Sequence, residues 1–429
     1  DDYKKLKFNN KTQSYFNEMD SADRVARFEK LQLGEKLPVT VLTEECDPKE
    51  IYRRYLHANQ PVLLKRFATT GWPARTDWIN SDGSVNYGFL WRLCKDSRDL
   101  PVSQCNREEC DSHPVIRMSA SDYFGEYWSA ISSSQFGEAT AKHNQILYLK
   151  DWHFQLLYPD YHAYTVPDCF TSDWLNEYCL DQTDSDYRFV YLGPQHSWTP
   201  FHCDVFGSYS WSANIAGRKL WILLPPGQEK KLLCRNRLPW DLGECSSETL
   251  SSLSGIRLLQ EPGDVLFVPS GWHHQVANLE ACISINHNWF NACNARHCHD
   301  RLLMDLTDVL QSLSDVRDTP GFDEAAQSLL LAHSGLNIPK WFDLLSFIFR
   351  RRLNQWIGKA KDTKVVQNWL VAHDLVVASD LLNELISDST NQVAACLPKD
   401  RCEGIQELLN LPLTFDALSA AKLLLVFLD

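Results

Sequence analysis

Between residues 187 and 289 the chain repeats one device: a short run of β-branched and aromatic residues, then a turn. Tyr187–Leu192, Ser208–Ala216, Leu220–Leu224, Val265–Val268 and Cys282–Trp289 read as strands. Gly193-Pro194, Ala216-Gly217, Pro225-Pro226-Gly227, Pro262-Gly263-Asp264 and Ser270-Gly271 punctuate them. Many strands with short connections and few helices between them imply an antiparallel sandwich or barrel. A further buried strand, Pro61–Phe67, follows a helical stretch at Pro48–Ala58.

Outside this zone the pattern is helical. Residues 1–30 are charged and read as a helical extension, and residues 31–293 as one domain with its core from about 140 to 293. From 294 to 429 apolar residues recur at steps of three and four, as in Leu302, Leu303, Leu306, Val309, Leu310 and Leu313, and again in Trp341, Leu344, Leu345 and Ile348. Asp416 reads as the cap of a last helix running to Leu428. Such stripes need cover, so this region is expected to pack on the strands, with association of two copies as a further outcome. The fold class is α+β.

Composition narrows the function. At 429 residues, with 44% hydrophobic and 23% charged, the chain can bury a large core. Its net charge of −13 disfavours nucleic acid or an anionic membrane as main partner and favours a basic protein. The longest apolar run, Leu423–Leu428, is far short of the roughly 20 residues of a membrane span. The opening Asp1-Asp2-Tyr3-Lys4-Lys5 lacks the apolar core of a signal peptide. The 14 cysteines have no framework spacing, which points to reduced thiols and a cytoplasmic setting.

The chemistry-bearing residues fall among the strands. In Trp198-Thr-Pro-Phe-His-Cys-Asp204, His202 and Asp204 would share one face of a strand. Alone this pair is no more than a hydrogen-bonded couple. Downstream, Phe267-Val-Pro-Ser-Gly-Trp-His-His274 opens a new strand. One more imidazole from there would complete two histidines and a carboxylate, the facial set of non-haem Fe(II) oxygenases. Alternation puts His273 and His274 on opposite faces and does not choose between them. Between these segments Ser210, Ser212 and Asn214 form a polar strand face, lining either a wet cavity or solvent. Lys219 enters the very apolar Leu220–Leu224, where an ammonium needs an anionic partner such as a dicarboxylate. Cys293 and Cys298, with His297 and His299 nearby, lack the paired ligands of a closed zinc site.

The set Thr199-x-x-His202-x-Asp204, Gly217-x-Lys219-x-Trp221, Phe267–His274 and Ile283-x-Ile285-x-x-Asn288 resembles the JmjC branch of the 2-oxoglutarate/Fe(II) oxygenases. The resemblance spans about 31–293 and is most specific over 186–290. It implies a double-stranded β-helix, a cupin-like barrel, flanked by helices. It implies that His202, Asp204 and His274 are the catalytic Fe(II) ligands. It also implies that Lys219, Thr199 and Tyr148 hold the far carboxylate of 2-oxoglutarate, with the Asn288 amide near the cosubstrate. Ser212 stands where relatives often carry Asn. Ser172–Glu177, Tyr187–Tyr191, Gly217–Lys219, Pro225–Glu229 and Pro269–Val276 resemble a small hydroxylase-type branch. That branch implies O2-dependent C-hydroxylation of a lysyl side chain in a translation release factor, giving succinate and CO2. The rival readings are an N-methyl-lysine demethylase, which would share every site residue, a cupin isomerase with more His ligands, and a non-catalytic cupin module.

Overall fold

The computed structural model describes residues 20–130, 145–235, 237–359, 368–387, 397 and 399–426. The strands are β1 (Glu35–Lys36), β2 (Thr40–Leu42), β3 (Val62–Leu64), β4 (Leu100–Gln104), β5 (Val115–Met118), β6 (Leu147–Trp152) and β7 (Arg188–Gly193). They continue with β8 (Trp198–His202), β9 (Tyr209–Ala216), β10 (Lys219–Leu224), β11 (Ser254–Gln260), β12 (Val265–Val268), β13 (His273–Asn278) and β14 (Cys282–Trp289). From β7 to β14 the chain passes back and forth between two sheets ordered β1-β11-β10-β13-β8 and β2-β3-β12-β9-β14-β7-β6-β4-β5. Every pairing among these eight strands is antiparallel. This is the double-stranded β-helix expected from the motifs.

The strand β10 shows why its sequence is apolar throughout. It lies mid-sheet, so both faces are covered. Leu220, Ile222 and Leu224 join one core with Trp198 and Phe201, while Trp221 and Leu223 join another with Leu63, Leu266 and Trp272. The β9–β10 turn depends on Gly217, which has φ 74°; a Cβ there would lie 2.3 Å from the Ala281 carbonyl oxygen. Strands β4, β5, β6 and β11 were not legible as strands, because Pro, Ser and charged residues interrupt their patterns.

The helix α1 (Ser21–Lys30) seals one end of the barrel with Val25 and Phe28. Residues 1–19 of the expected extension lie outside the described residues. After the barrel come α3 (Ala295–Ser312), α4 (Phe322–Ser334), α5 (Ile338–Lys359), α6 (Asn368–Ser387), α7 (Lys399–Leu409) and α8 (Pro412–Val426); α2 (Trp174–Gln182) precedes β7. These helices share a core of their own, in which Leu302, Leu306, Trp341, Leu345, Ile348 and Leu381 meet Trp174 and Phe290 from the barrel side. Buried Arg352 on α5 joins the two parts through Glu177 (Nη1–Oε2 2.8 Å) and Asp374 (Nε–Oδ2 2.8 Å). Asp416 is not a cap: α8 begins four residues earlier, at Pro412, where a missing N–H costs nothing. Leu413 and Phe415 on α8 stay exposed. Among the described residues no helix is long and apolar enough to cross a membrane, and the cysteines are free thiols.

Candidate metal and cosubstrate centre

The strand β8 ends at His202, and His274 on β13 is its direct cross-strand partner, with ring centroids 4.3 Å apart. Each imidazole Nδ1 sits against a main-chain carbonyl two residues back: Pro200 at 2.8 Å for His202, Trp272 at 3.1 Å for His274. A carbonyl only accepts, so each Nδ1 carries the hydrogen and each Nε2 lone pair is left free. Asp204, two residues on, reaches the same point, as alternation foresees. The ladder has stopped at His202, but Asp204 keeps an extended backbone (φ −61°, ψ 148°), and a tight turn with Phe206 at φ 60° and Gly207 at φ 64° follows it. Ligand atoms of His202, Asp204 and His274 all lie within 4.8 Å of one another; among the described residues no other His, Cys, Asp and Glu side chains converge in this way.

The carboxylate of Asp204 is held on both oxygens: Asn288 Nδ2 donates to Oδ1 at 3.0 Å, and Ser210 Oγ donates to Oδ2 at 2.7 Å. Burial first, and then the neighbouring His274, hold the His202 imidazole well below its ordinary range. It therefore stays neutral, the form that binds a metal. His273 points away and packs on Phe201, its ring 5.5 Å off, so β13 itself resolves the choice between the two histidines. Cys203, between two of these residues, is pushed up to about 12 by burial and stays a thiol.

Deeper in the barrel, Lys219 Nζ donates to Ser284 Oγ at 2.8 Å and to the Tyr148 hydroxyl at 3.4 Å. Among the described residues no carboxylate pairs with it. Burial pushes this ammonium down to about 8. A buried cation without a counter-ion is costly, and a dicarboxylate would relieve it. The ring of Tyr148 fills the space beside Gly193, where a Cβ would lie 2.5 Å from Tyr148 Cδ2. Thr199 lies on β8 opposite Val276, half-buried, and its side chain makes no hydrogen bond to any described residue. The residues present thus fit one metal ion with an anionic chelator anchored at Lys219.

Asn288 touches Asp204 and Ser208, not Lys219, so it belongs to the metal end of the cavity. The polar face of β9 is buried, which selects the cavity reading over the solvent one: Ser212 and Asn214 face inward, and the Ser212 hydroxyl has no partner among the described residues. Sequence reasoning missed Ser284 and the positioning role of Ser210. It also missed an aromatic wall. Ser284 and Asn286 on β14 pair with Tyr191 and Phe189 on β7, and cross-strand partners share a face. Tyr187, Phe189 and Tyr191 therefore line the same interior, half-buried, with ring centroids 6.2 and 6.3 Å apart along the row. Phe206 extends this row to the rim, 5.3 Å from Tyr187.

The comparisons agree with this geometry. Residues 189–289 match the family model described as "JmjC domain, hydroxylase". The chain is 35% identical over 393 residues to the "2-oxoglutarate and iron-dependent oxygenase JMJD4 homolog" of Drosophila melanogaster, spanning 84% of this chain and 92% of that one. It is 38% identical over 313 residues to the human "2-oxoglutarate and iron-dependent oxygenase JMJD4", spanning 71% of this chain and 74% of that one. It is 40% identical over 325 residues to "Arginine-specific demethylase JMJ20" of Arabidopsis thaliana, spanning 71% of this chain and 68% of that one. With such identity over nearly the whole of a relative, the chain belongs to the JmjC family of 2-oxoglutarate and iron-dependent oxygenases.

Proposed function

We propose that the chain hydroxylates a carbon of a lysyl side chain in a protein partner, consuming 2-oxoglutarate and O2 and releasing succinate and CO2. In this reading His202, Asp204 and His274 hold Fe(II), and Lys219, Tyr148 and Thr199 hold the far carboxylate of 2-oxoglutarate. The bound iron and cosubstrate supply the oxidant that replaces a C–H bond by C–OH. The chain's own residues fix where that happens. Asn288 and Ser210 orient Asp204. The two main-chain carbonyls fix the imidazole tautomers.

The observation that carries the substrate class is the half-buried wall of Tyr187, Phe189 and Tyr191, which runs from Phe206 at the rim to Tyr148 inside. An aromatic wall of this kind suits the long methylene stem of a basic side chain, with its cation on the ring faces. The net charge of −13 favours approach of a basic partner, chiefly through encounter rate. The resemblance noted above makes a translation release factor the partner of choice and the cytoplasm the place of action.

A second reading, N-demethylation, is favoured by the name of the plant relative, an arginine-specific demethylase. The two differ in which C–H the cavity holds nearest the metal. A hydroxylated chain carbon persists, whereas a hydroxylated N-methyl collapses to formaldehyde. Incubating the enzyme with release-factor peptides, iron and 2-oxoglutarate, followed by mass spectrometry, separates them. A stable gain of one oxygen on an unmethylated Lys is the expected result. Loss of methyl groups from methylated Lys or Arg, with formaldehyde and no oxygen gain, would replace this reading by demethylation.

A further inference from the structure

Strand register divides the aromatic wall into three levels. The Asn288 N–H donates to the Tyr187 carbonyl, and the Asn288 side chain donates to Asp204, so Tyr187 marks the metal level. Tyr191 lies opposite Ser284, which accepts from Lys219, so it marks the level of the far carboxylate. Phe189 lies between them, ~6–7 Å along the strand from each.

Strand β6 sets a polar group against each of the two inner levels. Trp152 pairs with Val190, and both side chains enter the main core. The next residue, His153, therefore stands opposite Phe189 on the cavity face, where the two rings meet at 5.0 Å. Lys150 stands over Tyr191, its ammonium 5.4 Å from the ring centroid. The inner end of the wall is thus positive and repels a second ammonium.

His153 is oriented from behind. Asp186 is fully buried, and its Oδ1 lies 2.6 Å from His153 Nδ1. Its other oxygen accepts from Arg188 Nε at 2.8 Å. Arg188 supplies the countercharge, so the carboxylate needs from the imidazole only a hydrogen. A carboxylate only accepts, so Nδ1 carries that hydrogen and the neutral ring keeps its lone pair on Nε2. Among the described residues Nε2 has no partner, and the side chain is 35% exposed, within reach of a ligand. Holding the metal and the cosubstrate does not use this pair.

We propose that His153, fixed by Asp186, accepts a hydrogen bond from the ammonium of the target lysine, and that Lys150 bars that ammonium from the level beyond. The proposal rests on the lysyl reading above and adds the residue that sets its depth. With the ammonium one strand step inward of Asp204, ~6–7 Å, a methylene of the stem lies at the metal level, and a substituent on the nitrogen does not.

The test compares two peptides with the same flanking sequence from a release factor. One carries lysine, the other norleucine, which keeps the four-carbon stem and lacks the nitrogen. Oxygen gain is followed by mass spectrometry. The norleucyl peptide is scored by its KM, or by its inhibition constant if it is not oxidised. Wild type should prefer lysine by at least about tenfold, the worth of one hydrogen bond to a charged group. His153→Ala should raise the lysyl KM by about that factor, more than it lowers kcat, and leave the norleucyl value in place. His153→Gln, which offers a carbonyl acceptor, should restore part of the preference. No preference in the wild type would overturn the proposal even if no variant folds. So would a His153→Ala enzyme that keeps the preference, or one that loses both peptides equally, which denotes a structural histidine. Wild type that adds oxygen to neither peptide would overturn the lysyl reading itself, and this proposal with it.

Discussion

Asn288 donates from Nδ2 to Asp204 Oδ1 at 3.0 Å, joining the last strand of the barrel to the carboxylate of the candidate metal site. With Ser210 on the other oxygen, the carboxylate is oriented before any ion arrives. Partners of this kind typically carry about 10–100-fold in metal affinity. Asn288→Ala should therefore weaken Mn(II) binding by about that factor, read by titration followed by paramagnetic resonance. Unchanged metal affinity, with a loss confined to 2-oxoglutarate, would return Asn288 to the cosubstrate end.

Lys219→Met should act on the cosubstrate and not on the metal. Removing one partner of a buried ion pair costs about 3–5 kcal/mol, roughly two to three and a half orders of magnitude in affinity. N-Oxalylglycine titration of the Mn(II)-loaded variant measures it. A variant that binds like the wild type would move the anchoring role to Arg218 or another base.

The same lysine gives a pH signature. Without cosubstrate its ammonium titrates at about 8, below its ordinary 10.5, because burial penalises the charge. Between these values the folded chain has lost a proton that the unfolded chain still holds. This group's contribution to stability therefore rises across pH 8 to 10.5 and is smallest below pH 8. A bound dicarboxylate reverses the penalty and draws the proton back. Cosubstrate binding near pH 8.5 should take up about three quarters of a proton, and binding near pH 6.5 almost none. Calorimetry in two buffers of different ionisation enthalpy reads the uptake directly; equal uptake at both pH values would show that Lys219 is not the group that pairs.

Arg352 tests the join between barrel and helices. Its guanidinium lies between Glu177 and Asp374, with Asp374 almost fully buried. Arg352→Met leaves that carboxylate without its cation, a loss of about 3–5 kcal/mol. Thermal unfolding should show the drop, with metal affinity of the folded protein retained. An unchanged melting temperature would mean the two cores hold together without this clamp.

The fold was legible where burial imposes a period. The wholly apolar Leu220–Leu224 could only be a strand covered on both faces, and the three- and four-residue steps of Leu302–Leu313 could only be a helix stripe. Legibility failed where one face meets the cavity. Ser210, Ser212 and Asn214 look the same facing water or facing a buried site, and only the opposite sheet decides. It failed again at the β6 bulge, where the β6–β7 register shifts between Leu149 and Trp152 and Asp151 takes φ 53°, which alternation cannot express. Arg352 meets Glu177 across 175 positions, a distance no local pattern spans.

The most direct test of the site is a crystal grown with Mn(II) and N-oxalylglycine. An anomalous peak bonded to His202, Asp204 and His274, beside a dicarboxylate with its far end at Lys219, is the predicted result. A peak at other residues, or a dicarboxylate away from Lys219, would contradict the account.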